Sequence, residues 1–523
     1  MDKSIRRKHQ IKEKASGWYL FLLFTVFPLA IYQGYTSILT IKTTVFFLFT
    51  GIYILVVVFE LIRTKKKDSD KLLKQDVSVT DYLILGFGVE VCLSWLFCLE
   101  KKAQFFGIYG RNMGLAAYLL CVFMYFFVSR YLRFSQYILT GLLSAAAAVS
   151  LIGFCNHLGF DPLSVYSVFD AKSDFVSTMG NMNTFSAYLS LLVPFGMTLF
   201  CVSRERRSKF VYGIFCFCGF LGMIAANSDS AYLTVGAAFF ILLWWSGKKY
   251  AGEYFAVLML EFASAHLVAG FLRKIRGESN CMTLRMGLPK FFLDVRIGIC
   301  LFLLSLLTVS VFYVCRFQKK DAQKIWNHLR KGMIFIIAVM VVLLFIAVFY
   351  INLNWEKAEA KAYLGGLYRY LYFSNSWGTK RLQIWKAALL IFGRIPFLKK
   401  FIGMGAAGFY SAAQIYLTPV ELQVFEQQGR LIDAHNVYLQ FLIVFGILGL
   451  VLFIGIFVSV LFRFYKKGQT ENYMLAFAMF ELAFLLQAVV NNAHIYIDPL
   501  IFALTAVGIN LCQERGEEDY ESI

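Results

Sequence analysis

The fold of this chain is decided by segments such as Met333-Ile-Phe-Ile-Ile-Ala-Val-Met-Val-Val-Leu-Leu-Phe-Ile-Ala-Val-Phe-Tyr-Ile351, in which no side chain carries a charge. A helix needs about 20 mainly apolar residues to cross the hydrocarbon core of a bilayer. The stretch, which lies in a predicted span at 332–352, therefore predicts a helix whose solvent is lipid rather than water.

Similar segments recur along most of the chain. The predicted spans lie at 18–36, 43–62, 81–99, 114–131, 137–156, 183–203, 210–226, 230–246, 254–271, 295–315, 332–352, 435–462, 473–490 and 498–512. The ninth is the weakest because it contains Glu261 and His266, so we expect about 12–14 transmembrane helices. The sequence thus predicts an all-α, polytopic integral membrane protein.

The overall composition agrees with this fold class. Of the 523 residues 59% are hydrophobic and 16% are charged, whereas globular domains have roughly 45–50% and about 25%. These values exclude a disordered chain, a disulfide-rich secreted domain and a soluble DNA-binding protein. The net charge of +19 does not predict a nucleic-acid partner, because most Lys and Arg residues fall in segments predicted to face the cytoplasm.

The spans divide the chain into four predicted regions. An N-terminal bundle of about eleven spans occupies 1–352, a large extracytoplasmic loop 353–434, the C-terminal transmembrane helices 435–512 and a cytoplasmic tail 513–523. Both termini are predicted to be cytoplasmic. The basic segment 272–294 is an irregularity on the outer side, and it indicates either a re-entrant or interfacial segment or an error in the ninth span.

The loop has apolar residues at helical spacing, which predicts amphipathic helices at the outer interface. They form two sets: Leu364, Leu367, Tyr368 and Leu371, and Leu382, Trp385, Leu389 and Phe392. Between the second set and the last spans lies Gly403-Met-Gly-Ala-Ala-Gly408. No strand precedes these glycines, so we interpret them as a tight turn that lets two backbones approach closely rather than as a dinucleotide site.

The strongest candidate site is the stretch Asp433-Ala-His-Asn-Val-Tyr-Leu-Gln440, where the loop enters the twelfth span. His435 can take or hold a proton near neutral pH, or it can simply cap the helix. Arg381, next to Lys380, offers a planar fork for phosphate oxygens, or its side chain extends along the interface. No His, Asp, Glu or Cys spacing supports a metal site, and no cofactor is expected.

Two further outer elements carry candidate residues. Arg111 lies in the Gly- and aromatic-rich turn Phe105–Gly114 and can contact phosphate or sugar. Asn181 and Asn183, which open the sixth span, can bind sugar hydroxyls or cap the helix.

In these motifs the chain resembles the O-antigen ligase / O-antigen polymerase (Wzy-type) superfamily of bacterial membrane glycosyltransferases. The motifs occur in the family's order over roughly 80–510: Gly107–Gly114, Gly180–Asn183 with Ala187–Leu189, Arg381–Trp385, Gly403–Gly405, and His435–Leu439 with Gly446–Gly449. One departure is Asn227-Ser-Asp-Ser-Ala-Tyr232, because the family often has a Ser-Arg-Gly-like turn there and the Arg is absent.

The resemblance implies a GT-C-like enzyme of the bacterial cytoplasmic membrane that is independent of metal and of nucleotide sugars. Such enzymes move a glycan from a polyprenyl-diphosphate donor to an acceptor hydroxyl at the outer face, as a polysaccharide polymerase or ligase. The acceptor is a glycan, a lipid or a protein, and envelope-assembly proteins are further possible partners. The alternative is a lipid-linked oligosaccharide flippase or other transporter, but the pseudo-symmetric halves expected of transporters are not evident.

The resemblance also assigns roles to the candidate residues. His435 and Arg381 are expected to be catalytic, His435 as base or hydrogen-bond partner and Arg381 as a charge on the diphosphate. Binding of the diphosphate or the glycan is expected from Arg111, Asn181, Asn183, Asn436 and Lys380.

Overall fold

The computed structural model describes residues 3–513 except 33, 35–36, 64–76, 109, 165–174, 248–250, 285–286, 319–320, 376 and 427–430. The helices before the long loop are α1 (Lys3–Leu29), α2 (Ile38–Arg63), α3 (Val79–Leu96), α4 (Lys101–Phe106), α5 (Leu115–Tyr131), α6 (Gln136–His157), α7 (Met182–Val202), α8 (Arg206–Ala226), α9 (Asp229–Trp245), α10 (Ala251–Arg276), α11 (Leu288–Phe292), α12 (Val295–Phe317) and α13 (Ala322–Asn354).

The loop and the C-terminal part are helical as well. The loop contains α14 (Lys357–Leu364), α15 (Tyr368–Leu371), α16 (Trp377–Arg394), α17 (Phe397–Ile402), α18 (Phe409–Tyr416) and α19 (Pro419–Phe425), and after it come α20 (Val437–Val444), α21 (Gly446–Lys467), α22 (Met474–Gln487) and α23 (Asp498–Cys512). Two antiparallel strands of two residues each, β1 (Phe175–Val176) and β2 (Gly180–Asn181), lie before α7.

Helices occupy the positions of the predicted spans. Within the described part of the chain, nine helices are long and apolar enough to cross a membrane, and α5, α9, α22 and α23 are shorter apolar helices. The first span differs from its prediction, because α1 begins in the basic tail and ends at Leu29 rather than at 36. The prediction of an all-α, polytopic membrane protein is confirmed.

Burial separates the centre of the bundle from its periphery. The most apolar stretch of α7 is 100% buried, whereas that of α13 is only 6% buried although it is the more hydrophobic of the two. An apolar helix that protein does not cover needs lipid around it, since the backbone groups are already satisfied within the helix. The segment Met333–Ile351 of α13 therefore faces lipid. Helix α7, which follows the two strands in the chain, lies in the core of the bundle.

The ninth predicted span exists as the continuous helix α10. Arg273, near its end, is buried, lies with its guanidinium nitrogen 2.9 Å from His157 Nε2 and donates to the carbonyl oxygen of Met282. This basic residue of the segment 272–294 thus belongs to a packed contact between α6 and the loop that follows α10. The alternative that the ninth span is wrong is not supported. Arg285 lies outside the described residues.

The twelfth predicted span is not one helix, as expected, but breaks between α20 and α21. Gly446 has a φ of +65°, and a Cβ at that position would lie 2.3 Å from the carbonyl oxygen of Phe401. The turn after α17 docks into the break, where Met404 and Gly405 donate backbone hydrogen bonds to the carbonyls of Ile443 and Val444. The loop glycines thus allow the close backbone approach predicted for them, and the contact fixes the junction between α20 and α21.

The other end of the loop is tied to the bundle by polar contacts. Asp229, in the stretch where the resemblance fails, accepts hydrogen bonds from the Tyr370 hydroxyl at 2.9 Å and from the backbone of Leu288 at 2.8 Å. Asn352 of α13 donates to the carbonyl of Leu371 at 2.7 Å. The second predicted amphipathic stretch forms α16, whereas the first is interrupted at Gly365–Leu367 by a turn of 3-10 helix.

Candidate active site

The site is built on the turn that connects the loop to α20. Asn436 is the N-cap of this helix, and its side-chain oxygen accepts a hydrogen bond from the backbone of Leu439 at 3.0 Å. The backbone of Val437 donates to the carbonyl of Ala488 at 2.8 Å. The turn is therefore held both by its own cap and by the end of α22.

His435 occupies this turn with a left-handed backbone, at a φ of +46°. Residues other than glycine adopt this conformation at a cost, and such positions are often found at functional sites. Asp433 Oδ1 accepts a hydrogen bond from the His435 backbone at 3.0 Å and lies 3.6 Å from the ring nitrogen Nε2. The other ring nitrogen, Nδ1, lies 3.1 Å from Asn492 Nδ2. The imidazole is thus held between a carboxylate and an amide.

Asp433 is in turn paired with Arg111. Its Oδ2 atom accepts from Arg111 Nε at 2.8 Å and lies 2.6 Å from the terminal nitrogen NH2, while the third guanidinium nitrogen donates to the Gly110 carbonyl at 3.1 Å. The Asp433 side chain is almost fully buried. Because a buried carboxylate needs a partner, Arg111 is required to keep Asp433 ionised next to His435.

A second turn, Asn491–Ile497 between α22 and α23, closes the site. The backbone of Ile495 donates to the carbonyl of Arg111 at 3.1 Å. His494 Nδ1 accepts from the backbone of Tyr496 at 3.3 Å, and its ring also hydrogen-bonds the backbone of Gly110. The backbone of Ile495 and the ring of His494 therefore both hold the Arg111 loop in place.

These elements surround one cavity of about 480 Å³. Its lining includes five of the residues predicted from the sequence, and these are Arg111, Asn181, Asn183, Arg381 and His435. Asn491, Asn492, His494 and Tyr496 add further polar groups. The chain thus brings polar residues from five separate regions of the sequence into one pocket.

Asn181 has two functions in this arrangement. It is the N-cap of the helix that begins at Met182, and its side-chain oxygen accepts from the backbone of Asn183 at 2.8 Å. Capping uses only the oxygen of this amide, and both asparagines line the cavity. The alternatives of cap and sugar contact are therefore compatible.

Arg381 reaches the cavity from the beginning of α16. Its neighbour Lys380 has a left-handed backbone, with a φ of +68°, and is not among the residues that line the cavity. Asn436, whose side chain caps α20, is also absent from the lining. The structure therefore brings together all predicted site residues except Lys380 and Asn436.

Burial and neighbouring charges determine the protonation states of Asp433 and His435. Burial alone would raise the pKa of Asp433, but the charges of Arg111 and His435 and the hydrogen bonds to the carboxylate hold it below its usual value. Burial lowers the pKa of His435, Asp433 opposes this change, and the charges of Arg111 and Arg381 add to it. His435 is thus neutral near pH 7 and able to accept a proton.

Sequence reasoning did not assign roles to Asp433, Asn492 and His494. Asp433 stands two residues before His435 in the quoted stretch, and Asn491-Asn492-Ala493-His494 is a polar run between two apolar helices. The polar run Asn491–His494 between two apolar helices was the feature of the sequence that could have identified Asn492 and His494 as site residues. Among the described residues, no group of three or more His, Cys, Asp or Glu side chains is placed to hold a metal ion.

Residues 286–454 match the family model described as O-Antigen ligase. Over this segment the chain is similar to the O-antigen ligase family. No curated protein matches the chain.

The O-antigen ligase match covers part of the candidate site. It includes the loop, Arg381, Asp433 and His435, whereas Arg111, Asn181 and the turn Asn491–Ile497 lie outside it. The family relationship expected from the motifs is thus confirmed. Arg111, Asn181 and the turn Asn491–Ile497 are assigned to the site because they line the same cavity in the structure.

Proposed function

We propose that the protein is a bacterial cell-envelope glycosyltransferase that acts at the outer face of the cytoplasmic membrane. It moves a glycan from a polyprenyl-diphosphate donor to an acceptor hydroxyl, as a polysaccharide polymerase or ligase. The observation that carries the proposal is the single polar cavity that joins His435, Arg381 and the amides of Asn181 and Asn183. The O-antigen ligase match over the loop supports the same reaction class.

The reaction needs a base and a binding site for an anion. The acceptor oxygen attacks the anomeric carbon of the donor sugar and forms the new glycosidic bond. The bond between that carbon and the phosphate oxygen breaks, and its electron pair leaves with the diphosphate. The proton of the acceptor hydroxyl passes to His435. Because diphosphate is already a good leaving group, holding the anion and orienting the hydroxyl are the main tasks of the protein.

The hydrogen bonds of His435 determine which ring nitrogen accepts the proton. An asparagine amide can present either its oxygen or its NH₂ group to a histidine ring. The Asn492 amide nitrogen lies 3.1 Å from Nδ1, so Nδ1 has the lone pair and the hydrogen of the neutral ring lies on Nε2, 3.6 Å from Asp433 Oδ1. Nδ1 is therefore the nitrogen that we assign to accept the proton. The imidazolium formed by proton transfer is then stabilised by that carboxylate. Asn492 and Asp433 are positioning residues in this mechanism.

The two arginines have different tasks. The guanidinium of Arg111 already contacts Asp433 through two nitrogens and Gly110 through the third, so its first task is to hold Asp433. Each terminal nitrogen keeps a second N–H that can reach a ligand in the cavity. Arg381 is assigned the main contact with the diphosphate, because it enters the cavity from the loop helix and its charge acts on His435.

The test is the lipid-linked glycan that accumulates when the gene is deleted. Single repeat units on lipid at the outer face would indicate a polymerase, and full-length polymer on lipid would indicate a ligase. Expression of the wild-type protein restores the product, whereas a His435→Ala variant that accumulates normally in the membrane does not. Loss of lipid-linked glycan from the outer face would contradict the proposal and indicate a flippase.

A further inference from the structure

A second large cavity lies at the end of the bundle remote from the candidate site. It is a groove of about 690 Å³ between α9, α13, α21 and α22. The opposite ends of these helices contact the loop and the site, through Asp229 at the start of α9, Asn352 near the end of α13 and Gly446 at the start of α21. The groove therefore lies in the opposite leaflet from the proposed glycosyl transfer.

The walls of the groove are apolar and its edges are aromatic. Leu242, Leu461, Leu475 and Met479 are among the wall residues. Trp244, Phe462 and Tyr465 border it and are 65%, 69% and 58% exposed. Tryptophan and tyrosine are enriched at the depth of the lipid headgroups, where a ring is apolar on one side and hydrated on the other. The groove thus has the apolar depth for an acyl chain and an interfacial edge.

Arg330 is the cation among the described residues that line this groove. Arg330 of α13 donates to the carbonyl of Trp244 at the end of α9, and its Nε atom is buried without a hydrogen-bond partner among the described residues. None of the ion pairs between described residues involves Arg330. Arg330 is partly exposed at the edge of the groove, where an anionic group can form a charge-assisted hydrogen bond with it.

The residue opposite Arg330 leaves space for the guanidinium. A Cβ at Gly247 would lie 2.5 Å from Arg330 Cζ, so a larger residue there would displace the cation. Lys466 is a further basic residue near these helix ends. The charge at this end of the groove is therefore positive, which complements the phosphate of a lipid headgroup.

We propose that this groove binds one anionic phospholipid of the leaflet opposite the candidate site. The phosphate contacts Arg330 at the edge of the groove, and an acyl chain lies along the leucine and methionine side chains of α9, α21 and α22. The site is separate from the transfer reaction and does not depend on the proposed function.

The experiment uses the purified full-length protein and native mass spectrometry. Phosphatidylglycerol and phosphatidylcholine with the same acyl chains are added in equal amounts, and the lipid that remains bound is counted. The wild-type protein is expected to retain phosphatidylglycerol in preference by about five- to tenfold, as one arginine near a membrane surface allows. Arg330→Gln is expected to remove the preference, and Ala478→Phe, which fills the groove, to reduce retention of both lipids.

The matched control is Lys331→Gln, which removes the same charge from the adjacent, exposed residue and should keep the preference. Equal retention of the two lipids by the wild type would overturn the proposal, and so would a preference that survives Arg330→Gln. Loss of the preference in Lys331→Gln would also contradict it, because surface charge in general would then be responsible. Displacement of the lipid by excess inorganic phosphate would indicate a site for free anion instead.

Discussion

The turn Asp433–Asn436 and the turn Asn491–Ile497 each contribute one histidine to the same cavity, and the two histidines differ in exposure and in the groups next to their rings. The His435 side chain is 35% exposed and has a carboxylate near Nε2. His494 is buried, contacts the backbones of Tyr496 and Gly110, and has its pKa lowered to about 3 by burial first and by the charge of Arg111. Access and a carboxylate neighbour, rather than residue type, therefore distinguish a candidate base from a structural histidine.

The largest difference between the two turns is expected from parallel alanine variants. His435→Ala should lower glycan transfer by about 10²–10⁴-fold, the usual contribution of a positioned general base. His494→Ala should retain much more activity, because it disturbs only the position of Arg111. Both are compared by polymer formation in a deletion strain at equal membrane levels. Equal losses in the two variants would show that the comparison is wrong.

The second prediction concerns Arg381, which faces the first turn across the cavity. Arg381→Ala should lower transfer by about 10²–10³-fold, as expected for the loss of one preorganised electrostatic contact. Arg381→Lys keeps the charge but loses the planar fork, and it should be intermediate. Transfer rates at saturating acceptor give the order of the three proteins. A lysine variant as active as the wild type would show that only the charge matters.

The third prediction tests the ion pair that supports the first turn. Asp433→Asn leaves Arg111 without its buried partner, and we expect a loss of roughly 3 kcal/mol in stability together with lower activity. The measurement is thermal unfolding of the purified protein. The control is Glu421→Gln, which breaks the exposed pair with Arg394 on the same loop and should change stability little. If both variants unfold at the wild-type temperature, the pair does not hold the site.

The smallest expected change is at the contact between the two turns. Asn492→Asp places a negative charge beside His435 Nδ1, which favours the imidazolium and raises the pKa of His435 by about one unit. Since the base acts in its neutral form, the acid side of the pH–rate profile should move to higher pH by a similar amount. Asn492→Ala should move it little. A profile that is unchanged in Asn492→Asp would remove Asn492 from the mechanism.

The helices could be predicted because the bilayer imposes one requirement on every span. A segment such as 332–352 must be apolar over its whole length, and that property is local in the sequence. The break at Gly446 was not predictable in the same way. It depends on a backbone contact with Phe401, and nothing within the twelfth span itself indicates that the loop will dock there.

The candidate site shows the same division between local and distant information. His435, Arg381 and the asparagines of Gly180–Asn183 stand in motifs and were predicted. The partner of Arg111 is Asp433, 322 residues away in the sequence, and the amide beside His435 comes from the turn before α23. Such pairs are set by the packing of the bundle. Asn436 and Lys380 fall outside the cavity although each stands next to a lining residue in the sequence.

The pH dependence of transfer by the purified protein tests the central claim, that His435 takes the proton of the acceptor, most directly. With lipid-linked glycan as the only donor, the rate should be constant near and above neutral pH and fall at acid pH, with its midpoint below the usual pKa of histidine, because burial lowers the pKa of His435. His494→Asn should keep this acid limb at the same pH, and the residual rate of His435→Ala should lack it. A limb that persists in His435→Ala or moves in His494→Asn would contradict the account.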